Sequence, residues 1–447
     1  MDKRAVRFSD HLPAGLKNVF RSLQYKNYRY FFYGQSISLI GTWMQRIATP
    51  WLVYKVTGSV YLLGVVGFAG QIPTFLMAPF AGVIVDRFNR YKILVLTQVL
   101  AMIQALILAY LVLTNAIQVW EIVLLSISLG IINAFDVPAR QSLVIDMIDK
   151  REDLGNAIAL NSSMVSSARV LGPSIAGILV ALTGEGTCFL LNAISYVFVI
   201  VFLLLMKIKP RKIAPQNSDV LEGFIEGVKY TFGFMPMRYI ILLLALISFM
   251  GMPYTVLMPV FAKNILHGGS HTFGFLMGAA GIGALCGSLY MAARKNVIGL
   301  SRIIAWSSAV FGFGLCVFSF SNYFLLSICI MVFVGLGFTL QMASCNTLLQ
   351  TIVDDDKRGR VMSLYAMAFM GTAPFGSYFA GAMASRIGAP FTLLFGGVSC
   401  IIGSIIFARK LPKIKLMIRP IYIKMGIIAE DKKETDDIVE MSHPEIQ

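Results

Sequence analysis

The sequence predicts an all-α integral membrane protein with twelve transmembrane helices in two pseudo-symmetric six-helix bundles. Three observations carry that expectation. The composition is apolar with few charges, twelve apolar stretches are long enough to cross a bilayer, and Lys and Arg gather on one side of them. Of 447 residues, 57% are hydrophobic and 14% charged. A soluble domain carries about 25% charged residues, so lipid is the expected solvent for this surface.

The apolar stretches fall at about 30–54, 59–84, 91–113, 119–140, 155–182, 186–207, 238–263, 271–293, 301–319, 322–350, 361–385 and 389–409, spans 1 to 12. With the N-terminus inside, 33 of the 38 basic residues fall on inner segments. The outer segments keep Lys55, Lys263 and Arg386, while Arg46 and Arg169 fall inside spans. A wrong helix count would scramble that alternation. The expected topology therefore has both termini in the cytoplasm. The +15 charge is spread over seven inner segments rather than one patch, which argues against nucleic-acid binding. Residues 1–27 are polar and basic and do not read as a cleavable signal peptide.

The chain divides into a cytoplasmic N-terminal segment (1–29), a first bundle (30–207), a cytoplasmic linker (208–237), a second bundle (238–409) and a cytoplasmic tail (410–447). Within the linker, residues 219–232 place Val220, Leu221, Phe224, Ile225 and Val228 near helical spacing, an amphipathic helix on the inner membrane face. The tail begins basic and ends acidic, a solvated extension. The halves echo each other, for residues 141–173 resemble 346–374. Such repeats make an interface at mid-membrane, where transporters place their substrate. Six cysteines without a C-x-x-C pair and four scattered histidines give no metal site. No phosphate-binding loop and no catalytic constellation appears, so neither an enzyme nor a cofactor is expected.

Residues 82–92 read Gly82-Val-Ile-Val-Asp86-Arg87-Phe-Asn-Arg90-Tyr-Lys92, between spans 2 and 3. This resembles the loop signature of the major facilitator superfamily, with departures at Asn89 and Tyr91. Gly82 permits close helix approach. Asp86 can accept from backbone N–H groups at the start of a helix in the other half, near Val361. Arg90 needs a carboxylate, and Asp136 is a candidate. The resemblance implies that Asp86, Arg90 and Asp136, with Arg87, close the cytoplasmic side of the outward-facing state. Span 5 holds Ala168-Arg169-Val-Leu-Gly172-Pro173-Ser-Ile-Ala176-Gly177, similar to the Gly-Pro signature of antiporters in the superfamily. Small residues there allow close packing and Pro173 bends the span; a packing kink common to any transporter is the other reading. Residues 41–57 and 133–143 resemble the branch that includes the enterobactin exporter and related multidrug efflux permeases. That resemblance implies a bacterial inner-membrane protein.

Arg46 and Arg169 are the most informative single residues. An arginine at mid-bilayer costs ~2.5–3.5 kcal/mol on insertion scales, so it faces a cavity or a partner. Gln35, Ser38, Thr42, Arg46 and Thr49 form one polar stripe on span 1. Either these cations meet an anionic or catechol-bearing substrate, or they bond helix-end carbonyls or a carboxylate such as Asp136 or Glu121. No carboxylate falls at a midplane, which favours neutral or anionic cargo and leaves Glu121 and Asp136 as the proton-coupling candidates. By family architecture, Phe249, Tyr254, Gln341 and Asn346 complete the cavity; ordinary helix packing explains each as well. The expected function is alternating-access export of a small amphiphilic, siderophore-like or drug-like compound, coupled to protons, by a monomer in the lipid bilayer. Uptake, and a membrane scaffold that retains the fold without transporting, stand as alternatives.

Overall fold

A computed structural model of the chain describes residues 20–207, 220–294, 296–354 and 356–428. Its first bundle comprises α1 (Lys26–Thr57), α2 (Val60–Arg87), α3 (Arg90–Leu113), α4 (Val119–Asp146), α5 (Arg151–Thr183) and α6 (Glu185–Leu204). A linker helix, Val220–Gly233, follows. The second bundle comprises α7 (Met235–Ile265), α8 (Ser270–Ala293), α9 (Leu300–Ser319), α10 (Phe324–Ile352), α11 and α12 (Ala389–Lys424). Helix α11 is built from Arg358–Ala366, a π turn at Met367–Gly371, and Thr372–Ile387. Ten of these are long and apolar enough to cross a membrane by length and composition. The other two spans are α1, which carries the polar stripe, and α11, which the π turn divides.

The connections follow from local chemistry. Gly184 and Gly388 each make the whole turn between paired helices, at φ 84° and 86°, a backbone region that side chains with a Cβ avoid. They occupy matching places in the two halves, α5–α6 and α11–α12. Asn89, where the superfamily signature has glycine, caps α3 by accepting from the amides of Tyr91 and Lys92 at 3.0 and 3.3 Å. Tyr91 donates to the Leu203 carbonyl at 3.0 Å. Both departures from the signature therefore have structural work.

Helix α7 contains two π turns, Ile247–Gly251 and Phe261–Ile265. The first lies just before Pro253 and the α11 π turn just before Pro374, where a missing N–H disturbs the helix ladder. The two turns abut, and Ser248 Oγ of α7 donates to the Phe369 carbonyl of α11. Helix α12 runs past the expected end at residue 409 to Lys424. Ile414, Ile418 and Tyr422, at four-residue spacing, are buried there, so residues 410–424 are packed helix rather than solvated tail.

The bundles meet along α2–α11 and α5–α8, and the contacts are backbone on backbone. A Cβ placed on Gly381 of α11 would lie 2.6 Å from the Cα of Gly64 in α2. One on Gly274 of α8 would lie 2.6 Å from the Cα of Gly177 in α5. Around them, Asn264 donates to Tyr54 at 2.7 Å, Gln71 to Ser377 at 3.3 Å, and Trp51 stacks on Phe273 at 6.1 Å. These contacts run from the middle of the helices to the face opposite the N-terminal turn. Toward the N-terminal face Leu76, Phe80 and Ile84 of α2, and Met370 of α11, are exposed.

Each bundle is braced on the N-terminal face. The turn Arg21–Gln24 docks on the start of α5: Asp153, 4% exposed, pairs with Arg21 and accepts from Gln24 and Tyr25 at 3.0 and 2.7 Å. The linker helix docks on the start of α11 through Glu226–Arg360, and through Tyr230, which donates to Asp354 at 2.8 Å. Burial, then the neighbouring Asp354, raises the Tyr230 phenol above its ordinary range, so it stays a donor at physiological pH.

Replacing Gly381 by Val should pry α2 from α11, since overpacking of this kind costs ~1–3 kcal/mol. A cysteine at position 377 should then react faster with a membrane-impermeant maleimide; unchanged labelling would mean the helices are not held by this contact.

Candidate functional site

The candidate site is assembled on α1, where residues of α5 and α7 approach it. Gln45 holds that helix in register: it donates to Gln104 of α3 at 3.0 Å and accepts from Asn192 of α6 at 2.6 Å. All three side chains are buried, and a buried amide without such partners is costly. With Gln45 pointing inward, the next residue, Arg46, is turned away from that cluster and is exposed.

Arg46 and Arg169 converge on one indole. Their guanidinium carbons lie 4.9 and 5.2 Å from the Trp43 ring centre, within the range of cation–π attraction. Trp43 is seated by Gly172, where a Cβ would fall 2.4 Å from the Trp43 Cβ. Gly172 of the Gly-Pro stretch is therefore a seat for an aromatic ring. The charged neighbours of Arg46 are Arg169 and Arg140, both cations. No carboxylate pairs with Arg46 or Arg169 among the described residues, and the buried Nε of Arg169 has no hydrogen-bond partner there. Pro173 lacks the N–H that would bond the Arg169 carbonyl four residues back. Gly281 of α8 approaches that carbonyl, with its Cβ position 2.8 Å away. Arg169 thus stands at the seam between bundles, and Tyr254 of α7 is its neighbour from the other side.

The expected carboxylate partners are engaged elsewhere. Asp136 is 3.4 Å from Arg140 and accepts from Gln98 at 2.6 Å and Thr97 at 3.1 Å. Arg90 lies 3.7 Å from Asp146, not on Asp136, because Arg90 opens α3 at the level where α4 ends. Glu121 is no partner for a mid-membrane cation: it accepts from the Gln118 amide at 2.8 Å and closes a capping box at the start of α4.

Of the remaining expected residues, Phe249 and Tyr254 line one pocket of the second bundle, and the others lie apart. Thr42 shares a 3.3 Å hydrogen bond with Tyr196. Gln35 and Ser38 are 2% and 3% exposed, closed inside the first bundle. They fall short of the cavity, although Gln35 accepts from Arg140 at 3.5 Å. Phe249 lies in the first π turn of α7 and packs on Phe379 at 5.6 Å. Tyr254 is buried edge-on to Phe311 at 6.2 Å. Gln341 is wholly buried, donating to the Cys345 sulfur at 3.4 Å, and Asn346 accepts from Gln350 at 2.7 Å. Of the loop residues, Gly82 has open space where a Cβ would go, so no close helix approach occurs at it in this conformation. Arg87 is exposed at the end of α2, while the Asp86 side chain lies outside the described residues. Sequence reasoning missed Trp43, Tyr196, Gln45, Gln104 and Asn192. A signal existed for Trp43, which stands one helical turn before Arg46.

This architecture, two bundles closed over a polar midplane site, is that of a major-facilitator transporter. A family model described as transmembrane secretion effector matches residues 18–421, and the chain belongs to that family of multi-pass membrane proteins. It is 28% identical over 389 residues to the staphyloferrin A transporter of Staphylococcus aureus, covering 87% of this chain and 97% of the relative. It is 22% identical to macrolide efflux protein A of Streptococcus pyogenes, covering 84% and 94%. Among solved structures, the D-xylose–proton symporter superposes with a TM-score of 0.69 at 14% identity, covering 86% of this chain and 97% of the symporter; that likeness is one of fold. The chain is accordingly a transporter and not an enzyme.

Gly172→Val should displace Trp43 and with it the two guanidiniums. Trp43 emission, in a variant whose other tryptophans are phenylalanine, should shift relative to the Gly172 parent. An identical spectrum would show that the seat is not needed.

Proposed function

We propose that this transporter exports a small amphiphilic anion, siderophore-like or drug-like, from the cytoplasm by alternating access. The observation that carries the reading is the pair Arg46 and Arg169 on Trp43, two mid-membrane cations with no carboxylate against them among the described residues. Two guanidiniums held side by side without a carboxylate repel each other, and an anionic cargo supplies the missing charge. The family description and the macrolide efflux relative support export. The name of the staphyloferrin A transporter supports a siderophore-like cargo without fixing direction. The basic residues of the connecting segments support a cytoplasmic N-terminal face. On that orientation the closed side is extracellular and the conformation inward-facing.

Protons are the proposed driving ion and Asp136 the coupling group. It is buried, and it pairs with Arg140, itself a charged neighbour of Arg46. Glu121 is set aside because it caps α4.

Arg46→Ala and Arg169→Ala should each weaken export of an anionic cargo at least tenfold, the scale of a lost charge-assisted hydrogen bond of ~1.5–3 kcal/mol. The Lys variants should recover part of it, and a neutral cargo should be little affected. The assay is cellular accumulation of candidate compounds with and without the protein. Equal export by the Ala variants would remove the anionic reading, and higher accumulation with the protein present would mean uptake.

Asp136→Asn should leave cargo binding intact but uncouple it from protons. In proteoliposomes, cargo added to the variant should no longer dissipate an imposed pH gradient. Unaltered proton movement would eliminate Asp136 as the coupling group.

A further inference from the structure

Helix α12 is 36 residues long, or ~54 Å at 1.5 Å per residue. The hydrocarbon core is ~30 Å thick, so its last third emerges on the N-terminal face. That third does not project freely. Ile414, Ile418 and Tyr422 are buried, and the Tyr422 hydroxyl donates to the Val297 carbonyl in the α8–α9 connection at 3.4 Å. The end of the helix is thereby held against the second bundle.

Its other faces carry Arg409, Lys410, Lys413, Lys415, Arg419 and Lys424, and no acidic residue occurs between positions 389 and 424. Among the described residues no ion pair is formed by Lys410, Lys413, Lys415 or Lys424. Exposed apolar side chains sit among these cations. Leu416 and Met417 are 47% and 39% exposed. At 100° per residue Leu416 falls between Arg419 and Lys413 around the helix, and Met417 between Lys424 and Lys410. Water is a poor solvent for apolar groups interleaved with lysines. A bilayer surface suits both: the lysine ammoniums reach headgroup phosphates while Leu416 and Met417 enter the acyl boundary.

We propose that residues 409–424 form a docking site for anionic phospholipid headgroups. The acidic segment that follows, Glu430 to Glu440 in the sequence, is the rival occupant. It would match the charge, but between those positions only Ile438 and Val439 are apolar, a smaller cover for Leu416 and Met417 than the acyl boundary. The inference does not depend on the cargo or its direction.

The test uses the full chain carrying Cys286→Ser, Cys329→Ser and Met417→Cys, with an environment-sensitive fluorophore at 417, in nanodiscs of phosphatidylcholine and phosphatidylglycerol. Bromine is placed on the chains of one lipid or the other at equal mole fraction. Brominated phosphatidylglycerol should quench roughly twofold or more above brominated phosphatidylcholine. The preference should vanish when Lys410, Lys413, Lys415 and Lys424 become Gln, and fade in about 0.5 M salt. It should survive when all four become Arg, which separates charge from misfolding. Equal quenching by both lipids overturns the proposal. So does a preference that appears only after residues 430–447 are removed, since the acidic segment would then be the occupant.

Discussion

Everything in this molecule is arranged around two places where backbone touches backbone. Gly64 meets Gly381 and Gly177 meets Gly274, each pair joining one bundle to the other. In a bilayer there is no hydrophobic gain from burying one apolar helix against another, so close van der Waals approach must hold helices together. Glycine gives the closest approach. Because both pairs lie toward one face, the bundles touch there and diverge toward the other. The position of the cavity follows from that geometry, and so does its chemistry: Arg169 lies two turns below Gly177 on the same helix, where contact gives way to open space.

The arginines at this site differ from the other charges of the first bundle in how they are compensated. Asp136 has Arg140, Gln98 and Thr97; Asp153 has Arg21, Gln24 and Tyr25; Glu185 has Lys55 at 3.0 Å. Arg46 and Arg169 have an indole face. Cation–π attraction is worth ~0.5–2 kcal/mol, less than the ~2.5–3.5 kcal/mol an arginine costs at the centre of a membrane helix. Trp43 therefore orients the guanidiniums without neutralising them.

The helix-by-helix reading of the fold was legible because a bilayer imposes one requirement, about twenty apolar residues per crossing, and the chain writes it repeatedly. The linker helix was legible by its periodicity. The extension of α12 to Lys424 was not, because Pro412 and the lysines beyond it read as the end of a span. At the site, Arg46 and Arg169 announce themselves as charges in apolar runs. Their shared ring does not, because Trp43 and Arg169 are far apart in sequence. The stripe from Gln35 to Thr49 does not meet one environment: Gln35 and Ser38 are turned into the bundle while Arg46 is exposed, since a long helix crossing its neighbours at an angle does not present one stripe to one environment along its whole length. The partner of Arg90 was misassigned for a related reason. Asp136 and Asp146 lie on the same helix, and only the relative heights of α3 and α4 decide between them. The π turns left no sequence mark beyond a nearby proline, Pro253 or Pro374 after two of them and Pro259 before the third.

The two braces extend the internal symmetry beyond the spans. Each bundle is preceded by a short segment, the turn Arg21–Gln24 or the linker helix, and each segment is fastened to the first turns of a particular helix, α5 or α11. These are two of the four helices that build the glycine contacts. The fastening is polar and the contact apolar, and they lie at opposite ends of the same rod. A change in the angle between the bundles pivots α5 against α8 and α11 against α2 while the braced ends stay with their own bundle. Between those ends the hydrogen-bond ladder of each rod is interrupted, in α11 by the π turn and in α5 by Pro173. The hydrogen bonds missing at those points make them the most compliant parts of the rods. Arg169, four residues before Pro173, stands at that interruption in α5, with its carbonyl against Gly281 of the other bundle, so one short stretch of helix carries both a guanidinium of the site and a contact between the bundles.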